Sequence, residues 1–244
     1  MLTNAEIKRK PELVAGIFLL LTGFSVILSL LTNIEFLSSF LSLSEDIEYL
    51  HENRLLLEFN SLLWILTAFL LTISAASIIA AIVPHHSFLG YLQGFFLILA
   101  AGMFCVAGIK GLTLGNLMEN YLEINLTNPD NIKTNVLILS NEKGIYLTTA
   151  YNLIGLNFFA MGIFAYLTSK IPLMTGILGS LTGILIPLFT LFIPDSLFAD
   201  IGVIMACLMF FILTIRFLFK GLEKKQKRTR KKSGKKNENL LSTT

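Results

Sequence analysis

The chain has 244 residues, 54% of them hydrophobic and 14% charged, where a soluble domain carries about 25% charged residues. Its charges are confined to the two ends and a few short blocks, which excludes a soluble globular fold and implies one all-α, polytopic membrane helix bundle. The net charge of +3 hides an asymmetry: between Lys220 and Lys236 there are ten basic residues and one acid, Glu223.

Crossing a hydrocarbon core of roughly 30 Å takes about 20 largely apolar residues in a helix. Six stretches meet that requirement, at about 13–31, 62–83, 88–109, 146–167, 171–193 and 197–219. The first follows Pro11, a residue suited to an opening helical turn. Lys8 to Lys10 precede it as they would a signal peptide, but its apolar run is too long for one and no A-x-A-like site follows. Runs such as Ile17-Phe18-Leu19-Leu20-Leu21 do not alternate, so helices are expected and barrel strands are not. Residues 1–222 then form the six-helix domain, and 223–244 form a polar, basic tail without apolar periodicity, expected to be disordered.

Two segments between spans are too long for simple turns. Residues 32–61 mix apolar positions with acids at helical spacings and read as an amphipathic helix. Residues 112–145 read as more broken: Leu114 to Leu122 extends the third helix, 125–131 is a turn-rich loop, and Val136 to Leu139 is a short extended piece. Asn125-Leu126-Thr127 matches the N-glycosylation acceptor pattern.

With six spans both termini share a side. That side holds Lys8, Arg9, Lys10, Lys170 and the tail, whereas the other holds only Arg54, Lys110, Lys133 and Lys143 and twelve of the sixteen acids. The positive-inside bias places both termini in the cytoplasm of a cell-membrane protein.

None of the six predicted cores has a central Asp, Glu, Lys or Arg, which removes much of the support for proton-coupled transport or ion pumping. The polar candidates within spans are Gln93, Asn152 and Asn157, suited to hydrogen bonding between helices or to lining a small polar cavity. His51, His85 and His86 lie outside the spans and have no companion ligands, so no metal, haem or other cofactor is expected. Cys105 and Cys207 lie in apolar stretches, and whether they are near each other is not readable from the sequence. Gly90, Gly94, Gly176, Gly179 and Gly183 have the small-residue spacing that lets helices approach closely, within one chain or between two copies. Trp64 reads as an interfacial anchor. Lys224, Lys225, Lys227, Arg228, Arg230, Lys231 and Lys232 are placed to contact anionic lipid. The tail lacks aromatic residues for base stacking, so nucleic acid is not an expected partner. No catalytic residue set, P-loop, G-x-S-x-G, H-E-x-x-H or C-x-x-C occurs.

Ser87-Phe88-Leu89-Gly90-Tyr91, Ile171-Pro172-Leu173-Met174-Thr175-Gly176-Ile177-Leu178-Gly179 and Arg216-Phe217-Leu218-Phe219-Lys220-Gly221 together resemble a prokaryotic family of six-helix membrane proteins, domain-of-unknown-function family 4386. The resemblance implies the six-helix architecture and carries no assigned activity. Where that family often has an Arg and a Glu after the Gly-Tyr step, this chain has Gln93 and Phe95 to Leu97.

The reading that follows is a non-enzymatic multi-pass membrane protein, an accessory or sensory component acting through its tail. A small transporter or lipid-interacting protein with an uncharged polar cavity is the alternative, and a membrane enzyme ranks third.

Overall fold

The computed structural model describes residues 11–32, 43–120, 129–168, 173–192, 206–213 and 215. All its elements are helices: α1 (Pro11–Leu31), α2 (Leu43–Glu52), α3 (Arg54–Ile82), α4 (Ser87–Glu119), α5 (Pro129–Thr168) and α6 (Leu173–Phe192), with residues 206–213 also helical. Four of them, α1, α3, α4 and α5, are long and apolar enough to cross a membrane, and α6 contributes a shorter apolar helix. The protein is a membrane helix bundle. Of the sixth predicted span only 206–213 and 215 are described; Asp200, Asn125 and the tail 223–244 lie outside the described residues.

α1 packs antiparallel on α3, and from α3 onward each helix packs antiparallel on the next, with a register that can be read residue by residue. Between α3 and α4 the turn at Pro84 to His86 is closed by His86, whose Nδ1 accepts from the Leu89 N–H at 3.3 Å. From that turn the two helices run together, Val83 against Gly90 at one end and Glu58 against Gly115 at the other. α4 meets α5 through Phe104 and Tyr151, with ring centroids 5.6 Å apart, and through Lys110 and Glu142. α6 returns along α5, Gly183 against Gly155 and Gly176 against Ala165. Residues 206–213 complete the circuit: Phe210 lies against Gly23 of α1 and 5.3 Å from the Phe158 ring of α5, and Met209 reaches Gly179 of α6. From α3 to α6, sequence neighbours are therefore space neighbours.

The apolar band is wide enough to match a bilayer. On α4 the outward-facing Phe88, Tyr91, Phe95, Ile98 and Ile109 are exposed, and on α5 so are Ile145, Leu156, Phe159, Ile163 and Tyr166. Each set extends over roughly 20 residues, or about 30 Å of helix. Helices α3, α4 and α5 have 29, 33 and 40 residues, so all three run beyond the band at the end opposite the α3–α4 turn. There they carry Arg54, Glu58, Lys110, Glu119, Lys133 and Glu142.

That projecting end is a second, smaller core. Ile47 and Leu50 of α2, Leu57 of α3, Leu114 and Met118 of α4 and Ile132 and Val136 of α5 bury one another, with Tyr49, Leu117 and Leu139 alongside. α2 is fastened by the His51 ring N–H, donated to the Met118 carbonyl at 2.7 Å. This cap revises the sequence expectations. Residues 129–131, expected in a turn-rich loop, open α5, and Val136 to Leu139 is helix and not an extended piece. The second span begins at Arg54, while the third continues past Leu114 to Glu119 as expected. The amphipathic helix expected in 32–61 is confined to α2, the rest of the described segment belonging to α3. The physical reason is the cap's own apolar surface. Helix too polar for the bilayer is retained where it can bury a stripe against its neighbours.

Candidate functional site

From the junction of cap and membrane band a polar seam runs between α1 and α3 into the interior. α1 contributes Thr22, Ser25, Ser29 and Thr32, spaced three and four apart so that they fall on one face. α3 contributes Asn60, Ser61, Thr67 and Ser74, three of them seven residues, or nearly two helical turns, apart at 60, 67 and 74. Across the seam the Ser25 and Thr67 hydroxyls are 2.7 Å apart and those of Thr22 and Ser74 are 3.4 Å apart. The hydroxyls also reach carbonyls, one turn back on the same helix for Thr67 to Leu63 at 2.8 Å and across the seam for Ser25 to Leu63 at 3.3 Å, so none of them needs water.

Asn60 is the hub. Its Nδ2 donates to the Ser29 carbonyl and to Thr32 Oγ1 at 3.1 Å. Its Oδ1 accepts from Trp64 Nε1 at 3.1 Å and from Lys143 Nζ at 3.4 Å. Four helices are thereby tied at one level, because Trp64 also stacks on Phe104 of α4 at 5.1 Å and meets Tyr151 of α5 edge-on at 6.2 Å. Trp64 is fully buried, so the expected interfacial anchor is instead the centre of the interior. Its indole N–H is the reason: with a buried acceptor one turn away on the same helix, the ring has no need of the headgroup region.

Lys143 is 1% exposed, the largest buried polar side chain after none but aromatic residues. It fits because α4 has Gly111 beside it, with the lysine Cε 3.5 Å from where a glycine Cβ would stand, and Ser61 fills the remaining side of that glycine. A buried ammonium is costly unless hydrogen-bonded and paired, so a layer of oxygen acceptors is the environment it requires. Lys110 takes the opposite course on the outer surface, in an ion pair with Glu142 at 2.6 Å. Arg54 joins Glu58 and Glu119 at 3.4 and 3.3 Å; at this exposure such pairs contribute little to stability.

The three amides singled out from the sequence do not assemble into one site. Asn152 is half-buried and its Oδ1 accepts from Thr190 Oγ1 of α6 at 2.7 Å. Gln93 and Asn157 are buried in the apolar interior toward the α3–α4 turn. Both polar atoms of Gln93 and Oδ1 of Asn157 have no hydrogen-bond partner. At 0% and 1% exposure neither side chain touches a water-accessible void.

The glycines pack within the chain. Added Cβ atoms would meet Val83 and Ile79 at Gly90 and Gly94, Ala165 at Gly176, the Phe158 carbonyl at Gly179, and the backbone of Gly155 and Phe159 at Gly183. Cys105 is half-buried, Cys207 is buried, and both are free thiols. Among the described residues no group of three or more His, Cys, Asp or Glu could hold a metal ion.

Sequence reasoning missed Asn60, Ser61, Gly111 and Lys143. The signal for Lys143 was present: Val136, Lys143, Ala150, Asn157 and Phe164 recur every seven residues, and all five are buried. Comparison with protein-family models, with curated proteins and with solved structures found no match to this chain.

Proposed function

We propose that the chain is a non-enzymatic accessory or sensory membrane component, linking the helical cap on one face of the membrane to the basic tail on the other. The observation that carries this reading is the continuity of α3, α4 and α5 from the membrane band into the cap, locked at the junction by the Asn60–Trp64–Lys143 layer. A rigid joint of that kind passes a displacement of the cap into the bundle. A flexible linker would absorb it.

In this reading the termini are cytoplasmic, the cap is extracellular, and Lys224, Lys225, Lys227, Arg228, Arg230, Lys231 and Lys232 bind anionic lipid or an acidic partner surface. A transporter is less well supported, because Gln93 and Asn157 are enclosed by packed side chains and border no void.

Complementation in a deletion strain of the host tests the proposal. A chain lacking 223–244 is expected to insert and accumulate normally while failing to restore the wild-type phenotype. Full restoration by that truncated chain would overturn the reading.

A further inference from the structure

On the outer surface of the cap, an open groove of about 530 Å³ lies between α4 and α5. Lys110, Thr113 and Asn116 line one wall, Asn135 and Glu142 the other, and Leu117, Ile138 and Leu139 complete the lining. We propose that this groove binds the headgroup of phosphatidylethanolamine from the adjoining leaflet.

Position is the first argument. Lys110 and Glu142 mark the level at which the charged cap begins. One turn toward the bilayer on the same faces, below Thr113 and Glu142, are Ile109 and Ile145, 51% and 63% exposed. The α4 face continues through Gly102, where an added Cβ would meet nothing within 4 Å, to Ile98 and Phe95. A lipid with its headgroup in the groove would lay its acyl chains along this apolar strip.

Charge selects the headgroup. The groove carries one cation and one anion, the Lys110 ammonium and the Glu142 carboxylate, and is neutral overall. An anionic lipid would gain Lys110 but face Glu142, and the two largely cancel. A zwitterion can exchange the existing ion pair for two new ones, phosphate on Lys110 and ammonium on Glu142, without leaving either side chain unpaired. The primary ammonium of ethanolamine brings three N–H donors to the Glu142 carboxylate and to the amide oxygens of Asn116 and Asn135, whereas the trimethylammonium of choline brings none. Hydrogen bonding therefore favours ethanolamine over choline, and charge favours it over glycerol. The site is independent of the accessory reading and would exist whether or not the tail has a partner.

Native mass spectrometry of the full chain in mild detergent tests this, with phosphatidylethanolamine, phosphatidylcholine and phosphatidylglycerol of identical acyl chains supplied together at equal concentration. Ethanolamine-lipid adducts are expected to exceed each of the others by about fivefold or more. Lys110→Gln with Glu142→Gln is expected to abolish the preference. Asn135→Leu, an exposed position whose amide bonds only to Asn131 one turn away, fills the groove without disturbing a buried contact and is expected to reduce retention several-fold at unchanged melting temperature. Equal retention of the three lipids, a preference for phosphatidylglycerol, or undiminished retention of the ethanolamine lipid by folded Asn135→Leu would each overturn the proposal.

Discussion

Replacing Asn60 by leucine keeps the volume of the side chain nearly constant and removes the centre of the polar layer. Two buried donors then lose an acceptor: the Trp64 indole N–H, at 3.1 Å, and the Lys143 ammonium, at 3.4 Å. The Ser29 carbonyl and the Thr32 hydroxyl lose a donor, but each retains other partners within α1. The Trp64 N–H is left without a partner while Lys143 gives up one of its contacts, and stranding one buried donor costs about 1–3 kcal/mol, so that is the expected loss. The measurement is an SDS titration of the purified chain in mixed micelles, followed by far-ultraviolet circular dichroism. Repeating it in a Trp64→Phe background separates hydrogen bonding from shape, since phenylalanine has no N–H to strand. There the cost of Asn60→Leu should fall by about 1–2 kcal/mol. A cost below about 0.5 kcal/mol in the parent chain, or identical costs in both backgrounds, would refute the account of Asn60 as the hub.

Gln93→Leu should act in the opposite direction. It removes two buried polar atoms that have no partner, and the same titration should show a gain of about 1–3 kcal/mol. Gly183→Ala drives a methyl group into the Gly155 carbonyl and the Phe159 amide, both 2.6 Å from its Cβ position, and should lose about 1–3 kcal/mol, while Gly102→Ala, which meets only open space, should lose none. Topology is open to thiol labelling in a chain whose Cys105 and Cys207 are replaced by serine. Asn135→Cys should react with an impermeant maleimide added to intact cells, and His85→Cys only after permeabilisation; the reverse pattern would invert the orientation.

The helical class and the membrane setting could be read directly because hydrocarbon imposes one strong rule: about 20 apolar residues in sequence. Inside the band that rule located α1 and α6 to within a few residues of their ends. It failed at the cap, where α5 begins at Pro129 and not near Tyr146. There the apolar residues Ile132, Val136 and Leu139 are interrupted by Lys133, Asn135 and Asn141, and a search for long apolar runs stops at the interruptions. Helical periodicity, in contrast, continues through them. The same habit concealed Lys143. A charge next to a predicted span end is ordinarily a snorkelling side chain, and only the sevenfold recurrence from Val136 to Phe164 reveals that it faces inward. Trp64 was misplaced for a related reason: tryptophan favours interfaces because its N–H seeks a partner, and Asn60, four residues earlier, supplies that partner in the interior. The lipid groove was illegible because its walls come from residues 110–117 and 135–142, and only the register of α4 against α5 brings them together.

The 40 residues of α5 amount to a rod of about 60 Å. Its only proline is Pro129, in the first turn, so no internal proline gives it a hinge. Pivoted near its middle, such a rod swings each end by about 2.6 Å for every 5° of tilt, and Gly155, nearer the pivot, by about 0.9 Å. At the Gly155–Gly183 contact a single methyl group already has no room. The bundle therefore resists gradual bending of α5 and favours a small number of discrete seatings against α6. A load on the cap would be felt at the far face of the membrane as a step from one seating to the next.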